Sequence, residues 1–288
     1  MTPSDGIGPS SFAGKVCLIT GATGGIGKAT AALLSSHGAT TVLVSRTESR
    51  GRAAVGELAL PPSGTAPGLL VGDLSEQREV RRVAEEFLNR YDRLDLLINN
   101  AGAVFPSYRT TSDGVESTFA LNHLAGFLLS GLLLGRLRSS APARIINITS
   151  ATYRYARLDL STLQDRRRFK PFRAYAVSKL ANILFTLELR KRLAGSGVTA
   201  VAVHPGGVRT PIYASTWQGR MFLRLFGWSL SDADPSAAAI VRLAAPGNRA
   251  AAANLYFELD RPVVPDARAT DEQAAHDLWA YSEKLTHA

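Results

Sequence analysis

The sequence contains little sulfur and few histidines. Its 288 residues include one cysteine, two methionines and five histidines. The single Cys17 excludes an intramolecular disulfide, and the histidines show neither an HExxH motif nor a paired ligand spacing, so we expect no metal site. Residues 1–11 lack a basic start followed by an apolar run, which argues against a signal peptide. We therefore expect a protein of the reducing cytoplasm.

The longest stretch without a formal charge covers residues 117–135 and is rich in leucine. It contains Asn122, His123, Ser130 and three glycines. A membrane span needs about 20 predominantly apolar residues. We therefore expect a buried helix beside a sheet rather than a span.

Positive charge exceeds negative charge. There are 33 Lys and Arg residues against 24 Asp and Glu, a net charge of +9, and 27 of the positive residues are arginines spread over the whole chain. Such an excess is typical of proteins that bind nucleic acid, an anionic surface or a phosphorylated ligand. The 45% hydrophobic and 20% charged residues exclude a disordered or fibrous chain, but composition does not choose among these partners.

Short apolar runs alternate with longer amphipathic segments along the chain. This order predicts an α/β fold, a single doubly wound parallel sheet of about seven strands with helices on both faces. We expect a flexible tail over residues 1–13, one domain over 14–288 and an aromatic-rich substrate flap near 210–230. The predicted strands are 15–20, 40–45, 69–71, 94–99, 143–149, 198–203 and 254–257; the predicted helices are 26–37, 47–59, 76–90, 113–137, 173–194 and 235–243. Ser75 is the predicted cap of the third helix, and Gly38 and Gly195 follow the ends of the first and fifth.

A glycine-rich turn joins the first predicted strand to the first predicted helix. Residues 20–27 read TGATGGIG. Glycines permit a tight turn and close approach of the backbone to a pyrophosphate, and the helix N-terminus offers free N–H groups. The spacing is G-x-x-x-G-x-G, and Ala22 and Ala29 stand where a kinase-type phosphate loop needs Gly and Ser/Thr, which argues against ATP or GTP hydrolysis. The predicted cofactor contacts here are Gly21, Thr23, Gly24, Gly25, Ile26 and Gly27.

The second predicted strand ends in Ser45, Arg46 and Thr47, and the first acid is Glu48. An acid near this place would hold a ribose 2′-hydroxyl, whereas a guanidinium pairs with a 2′-phosphate. Arg46 therefore favours NADP(H) over NAD(H). The alternative is an ordinary solvated arginine.

The fifth predicted helix carries Tyr175 and Lys179, one turn apart on the same face. A neighbouring ammonium favours phenolate, which lowers the tyrosine pKa toward the range of proton exchange with an alcohol or carbonyl oxygen. Taken alone, Y-x-x-x-K is more often a packing pair.

Further motifs occur in a fixed order, and together they resemble the short-chain dehydrogenase/reductase family. They are the glycine turn, Asn100-Ala101-Gly102, Ser150, Tyr175 with Lys179, and residues 204–210 (HPGGVRT). Residues 121–124 (LNHL), 175–189 and 278–285 resemble the retinol dehydrogenase-like branch. The resemblance extends from residue 14 to about 285 and implies a Rossmann-type fold.

The resemblance also implies roles for these residues. Tyr175 would be the general acid or base, Lys179 would lower its pKa and hold the nicotinamide ribose, Ser150 would bind the substrate oxygen, and Asn122 would support a water relay. The further cofactor contacts it implies are Asp73, Leu74, Asn100, Ala101, Gly102, Pro205, Gly206, Val208 and Thr210.

These observations predict an NADP(H)-dependent alcohol dehydrogenase or carbonyl reductase of lipophilic substrates, because residues 210–228 are apolar and aromatic. A non-catalytic NADP(H)-binding module is the alternative, and a nucleic-acid binder is a third hypothesis that we disfavour. We expect no membrane anchor, because the membrane-anchoring N-terminal helix found in many animal members of the family is not recognised here, and a homodimer or homotetramer is compatible with the family. A basic insertion before Tyr175, Arg166-Arg167-Arg168-Phe169-Lys170, is expected to be a solvated loop, with an anion or membrane-surface contact as its alternative.

Overall fold

A sheet of eight strands forms the centre of the computed structural model, which describes residues 7–8, 10–58, 65–207 and 233–287. In the described residues the strand order is β3-β2-β1-β4-β5-β6-β7-β8, and all neighbours are parallel except β7 and β8. The α/β prediction is confirmed. The strands are β1 (Val16–Thr20), β2 (Thr40–Ser45), β3 (Gly68–Val71), β4 (Leu96–Asn99), β5 (Ala143–Ile148), β6 (Val198–His204), β7 (Tyr256–Glu258) and β8 (Arg261–Pro262).

Helices cover both faces of the sheet, and the strands are apolar on both sides, as a doubly covered parallel sheet requires. In β1, Leu18 packs with the side chains of α3 and α4, whereas Cys17 and Ile19 pack with those of α1 and α6. The helices are α1 (Gly25–Ser36), α2 (Glu48–Gly56), α3 (Gln77–Arg90), α4 (Ser117–Ser139), α5 (Pro171–Arg192), α6 (Ala233–Ala244), α7 (Arg249–Ala253) and α8 (Glu272–Thr286).

Helix α4 contains the long uncharged run. It has the length and apolar composition of a membrane span, but 67% of its most apolar window is buried inside the protein. The helix is interrupted by a π-helical turn at Ala120–Leu124. Helix α4 therefore packs on the sheet as a buried helix, as predicted. Its π turn places Asn122 near the C-terminal ends of the strands.

Several boundaries differ from the predicted ones. Helix α8 and the short antiparallel β8 were not predicted, because the C-terminal segment mixes polar and apolar residues and takes its burial from contact with α5. Ser75 does not cap α3, since its hydroxyl donates to Asp73 and the N-cap position is held by Glu76, whose side chain makes no capping hydrogen bond. Phe12 is 2% exposed and its amide donates to the His37 carbonyl, so packing begins before residue 14. The predicted flap at 210–230 lies outside the described residues.

Candidate active site

A cleft of about 370 Å³ lies at the carboxyl ends of the parallel strands, where the strand order reverses between β1 and β4. This switch point is where open α/β sheets bind ligands. The sequence-predicted residues that line the cleft are Gly21, Thr23, Gly24, Gly25, Ile26, Gly27, Arg46, Asp73, Leu74, Asn100, Ala101, Gly102, Ser150, Tyr175, Lys179, Pro205 and Gly206. Asn122 lies behind the wall of the cleft, and Val208 and Thr210 fall outside the described residues.

The glycine turn is shaped by its contact with the chain after β4. Gly21 has a φ of +65°, and a Cβ there would lie 2.8 Å from the Ala101 Cα. A Cβ on Gly27 would lie 2.5 Å from the Asn100 Nδ2. At Gly24, by contrast, a Cβ would meet no described atom within 4 Å, and no side chain caps the first turn of α1. The turn therefore leaves space and free N–H groups for an anion at the start of α1.

Asn100 holds this turn in place. Its side-chain Nδ2 donates to the carbonyl oxygens of Thr20 (2.9 Å) and Gly21 (3.1 Å). The Thr20 hydroxyl in turn accepts from the backbone amides of Asn100 (2.9 Å) and Ala101 (3.0 Å). The Asn100 Nδ2 and the Thr20 hydroxyl thus join the two loops that form the floor of the cleft.

Two arginines line the end of the cleft at β2. Arg46 follows the last residue of β2. Arg50, four residues further on in the first turn of α2, also lines the cleft and was not predicted from the sequence. Neither forms an ion pair within the described part of the chain. The first acid, Glu48, instead pairs with Arg52 at 2.6 Å. The wall therefore presents two guanidinium groups that pair with no carboxylate of the described residues.

The opposite end of the cleft contains Tyr175 and Lys179 on α5. Lys179 is 3% exposed, its Nζ donates to the Ile148 carbonyl at 3.1 Å, and the Nζ lies 5.5 Å from the centre of the Tyr175 ring. Burial lowers the pKa of Lys179 to about 8, because the charged form loses hydration. The Thr149 hydroxyl donates to the Lys179 carbonyl at 2.7 Å, so the helix is fixed to the end of β5.

Ser150 lies two residues after the end of β5 and is half-buried in the cleft wall. Its backbone is extended, and its hydroxyl oxygen accepts from the Thr152 amide at 3.3 Å. Because the oxygen accepts in this contact, the hydroxyl proton remains available to another acceptor.

Asn122 belongs to a hydrogen-bonded group behind Lys179. Its Oδ1 accepts from the Ala103 amide at 2.8 Å, and its Nδ2 donates to the Ala103 carbonyl and the Ser178 hydroxyl, each at 3.0 Å. The main-chain carbonyl of Asn122 accepts from the Asn182 Nδ2 at 3.0 Å. The same Nδ2 donates to Ile148 at 3.2 Å, on the carbonyl that also accepts from Lys179.

Asn182 and His123 were missed by the sequence analysis. The His123 Nδ1 lies 3.3 Å from the Asn182 Oδ1, and its Nε2 lies 3.0 Å from the hydroxyl of Ser282 on α8. Burial lowers the pKa of His123 to about 4, so the ring is neutral at physiological pH. The available signal was Asn182 itself, a polar residue inside the apolar run of α5.

Residues 15–220 match the short chain dehydrogenase family, and the chain belongs to that family. The sequence is 38% identical to retinol dehydrogenase 12 of Mus musculus over 272 residues, which cover 94% of this chain and 86% of the relative. Within its family the protein is retinol dehydrogenase-like, and the resemblance predicted from the motifs is confirmed.

Solved structures agree with this assignment. A protein from Mycobacterium Paratuberculosis matches with a TM-score of 0.76 at 35% identity, over 96% of this chain and 95% of that one. A metagenomic short-chain oxidoreductase in complex with NADP matches with a TM-score of 0.64 at 25% identity, over 88% of this chain and 100% of that one. The protein is therefore an oxidoreductase of the short-chain type.

Proposed function

We propose that the protein interconverts a lipophilic alcohol and its ketone or aldehyde with NADP(H) as the redox partner. One observation carries the proposal: a single cleft joins the Tyr175–Lys179 pair at one end to the Arg46–Arg50 pair at the other. A dinucleotide with a 2′-phosphate needs both ends, because its reactive ring and its adenosine phosphate lie at opposite ends of the molecule.

The residues of the cleft fit such a cofactor. The turn at Gly24 and the first turn of α1 would hold the pyrophosphate, because the space at Gly24 admits backbone contact and the helix N-terminus favours an anion. Arg46 and Arg50 would pair with the 2′-phosphate. Asp73, whose Oδ1 is held by Ser75, would contact the adenine end with its other oxygen.

The bound cofactor supplies or accepts the hydride, so the protein groups position the substrate and transfer a proton. In carbonyl reduction the Ser150 hydroxyl would donate to the substrate oxygen, and the Tyr175 hydroxyl would give that oxygen its proton. The reverse reaction would return the proton to the Tyr175 oxygen. Lys179 in its charged form would stabilise the phenolate left behind, at the 5.5 Å separation that the ring and the Nζ already have.

Lys179 is also the point where the reprotonation path of Tyr175 would begin. Its Nζ and the Asn122 carbonyl are connected through Ile148 and Asn182 by bonds of 3.0 to 3.2 Å. A carbonyl oxygen has two lone pairs, so the Asn122 carbonyl can accept from a water as well as from Asn182. We propose that Asn122 holds such a water, and that Asn182 positions the Asn122 carbonyl.

The lipophilic substrate class rests on two supports. Phe105 and Leu121 contribute apolar surface to the cleft, and the curated relative is named a retinol dehydrogenase. Apolar walls with few polar groups are typical of sites for lipophilic ligands. Long-chain and retinoid aldehydes are accordingly the first substrates to test.

A cofactor-oxidation screen tests the proposal. Purified protein is mixed with NADPH or NADH and a panel of retinoid aldehydes, long-chain aldehydes, aliphatic ketones and quinones, and the loss of absorbance of the reduced cofactor is followed. We expect turnover of at least one apolar carbonyl with a clear preference for NADPH. Cofactor binding without turnover of any member would instead favour the non-catalytic binding module.

A further inference from the structure

The insertion between Ser150 and Tyr175 concentrates the positive charge of the chain. Residues 155–173 contain six positive residues and only two negative ones, which is +4 of the total +9. The six cations are Arg157, Arg166, Arg167, Arg168, Lys170 and Arg173, and all are exposed. This set, together with the rings of Tyr155 and Phe172, is called the basic–aromatic patch below.

The cations of the patch are close together in space. Arg157, Arg168, Lys170 and Arg173 line one depression together with the carboxylates of Glu116, Asp159 and Asp165. Asp165 lies 3.4 Å from Arg167 and 3.8 Å from Arg168, while the other four cations form no ion pair with any residue that the structure describes. The patch therefore keeps a local excess of positive charge that its own carboxylates do not neutralise.

Two aromatic rings lie within the same patch. Tyr155 is 77% exposed and Phe172 is 57% exposed, and their ring centres are 6.1 Å apart. In the described residues only Val264 is a further large apolar side chain with comparable exposure. Exposed rings among arginines and lysines are the composition of segments that lie at the surface of an anionic bilayer, where the rings enter the headgroup region and the cations meet lipid phosphates.

The patch is also next to the catalytic end of the cleft. Phe172 and Arg173 belong to the first turn of α5, and Tyr175 follows within one helical turn. We propose that the basic–aromatic patch docks the enzyme on membranes rich in anionic phospholipids, with the catalytic end of the cleft beside the lipid surface. A lipophilic substrate, if the proposed function holds, partitions into that surface, so docking would bring the cleft to where the substrate is concentrated.

Vesicle co-sedimentation tests the docking. Vesicles of phosphatidylcholine alone are compared with vesicles that also contain phosphatidylglycerol, at low and high salt. We expect the protein to sediment only with the anionic vesicles and to be released by salt, because the attraction is screened within a Debye length. Absence of binding to the anionic vesicles, or equal binding to both kinds, would overturn the proposal.

Two charge variants separate the patch from the overall charge. The triple change R166Q/R167Q/R173Q lies in the patch, and the control R78Q/R249Q/R261Q removes the same charge from exposed arginines elsewhere. The patch variant should bind anionic vesicles at least about tenfold more weakly, and the control should change by less than about threefold. Equal losses in the two variants would show non-specific attraction instead and would contradict the docking site.

Variants of the aromatic pair distinguish binding to a lipid surface from binding to nucleic acid. The variant Y155S/F172S should bind vesicles several-fold more weakly, because it removes apolar contact with the headgroup region. If that variant bound vesicles as wild-type protein does, or if a single-stranded oligonucleotide bound the patch more tightly than the vesicles did, the lipid proposal would be wrong. Turnover of a short water-soluble carbonyl should be unchanged in all of these variants; its absence in wild-type protein would contradict the proposed function and leave the vesicle result valid.

Discussion

At the scale of single residues, the site depends on a lysine that is held in an unfavourable environment. Lys179 is buried against the Ile148 carbonyl, and no carboxylate compensates its charge within the described residues. Its position beside the Tyr175 ring gives the phenol a neighbouring cation, which is the feature that proton exchange with an alcohol requires. In the proposed function, Lys179 therefore trades stability of the folded protein for its role beside Tyr175.

Replacing Tyr175 by Phe tests the proton transfer. The variant lacks only the hydroxyl, so we expect turnover to fall by about a thousandfold or more, while NADPH binding changes by less than about threefold. Stopped assays measure the turnover, and quenching of protein fluorescence measures cofactor binding. Retention of most of the activity would remove Tyr175 from the role proposed for it.

Replacing Lys179 by Met tests the cost of burying the charge. The pKa of Lys179 is lowered from 10.5 to about 8 in the folded protein, so between these pH values the unfolded chain binds more protons and stability rises with pH. Below pH 8, burying the charged form of Lys179 lowers the free energy of unfolding by up to roughly 3 kcal/mol. The Ile148 carbonyl keeps its bond from Asn182 in the variant.

We therefore expect Lys179→Met to be inactive but more stable than wild-type protein at neutral pH, with a difference that shrinks as the pH rises from about 8 to 10.5. Urea unfolding followed by circular dichroism at several pH values measures this. Lys284→Met, at an exposed position on α8, is the control for the loss of a lysine. A variant less stable than wild-type protein at neutral pH would contradict the argument.

At the scale of elements, three pieces of the chain meet at Asn182. Its side chain projects from the middle of α5 and bonds the Ile148 carbonyl at the end of β5 and two residues in the π turn of α4, Asn122 and His123. His123 extends the contact to α8. These contacts fix the relative positions of the elements that hold Lys179, Asn122 and Ser150.

Asn182→Leu should break this junction. It leaves the Asn122 carbonyl and the His123 Nδ1 without their partner, so we expect a loss of about 2–4 kcal/mol in the free energy of unfolding. We also expect a lower kcat and a shifted pH profile, because the Asn122 carbonyl is no longer positioned. The control is Thr186→Val on the same helix, which removes a buried hydroxyl that accepts from Asn147 on β5 and donates to the Asn182 main-chain carbonyl, and which leaves the Asn182 side chain in place. If both variants lost stability and neither changed the pH profile, Asn182 would be structural only.

In the proposed function, the junction between β2 and α2 determines the preference for NADP(H) over NAD(H). Arg46→Asp should weaken NADPH binding by about 10- to 100-fold, because a charge-assisted pair is lost and a repulsive charge is added. NADH binding should change by less than about threefold. Arg52→Asp is the matched control, since its partner Glu48 lies outside the cleft wall. Equal effects of Arg46→Asp on both cofactors, measured by fluorescence titration, would contradict the assignment to NADP(H).

At the scale of the whole molecule, the sequence predicted what depends on local pattern and chain order. The alternation of strands and helices predicted the parallel sheet, and because the carboxyl ends of parallel strands share one edge, the motifs after β1, β2, β4 and β5 had to meet there. The contact of His123 with Ser282 joins residues 159 positions apart, and α8 is stabilised by α5 rather than by its own periodicity. Such contacts depend on tertiary neighbours that no local pattern specifies.

Direct hydride transfer is the central claim for the molecule, and isotope labelling measures it. NADPH carrying deuterium at the reactive C4 position is incubated with an apolar aldehyde found in the screen, and the alcohol is examined by mass spectrometry. We predict one deuterium on the carbinol carbon of the product with wild-type protein and no product with Tyr175→Phe. Two results would contradict this mechanism. One is alcohol without deuterium whichever of the two C4 hydrogens of NADPH is replaced, and the other is labelled alcohol formed equally well by Tyr175→Phe.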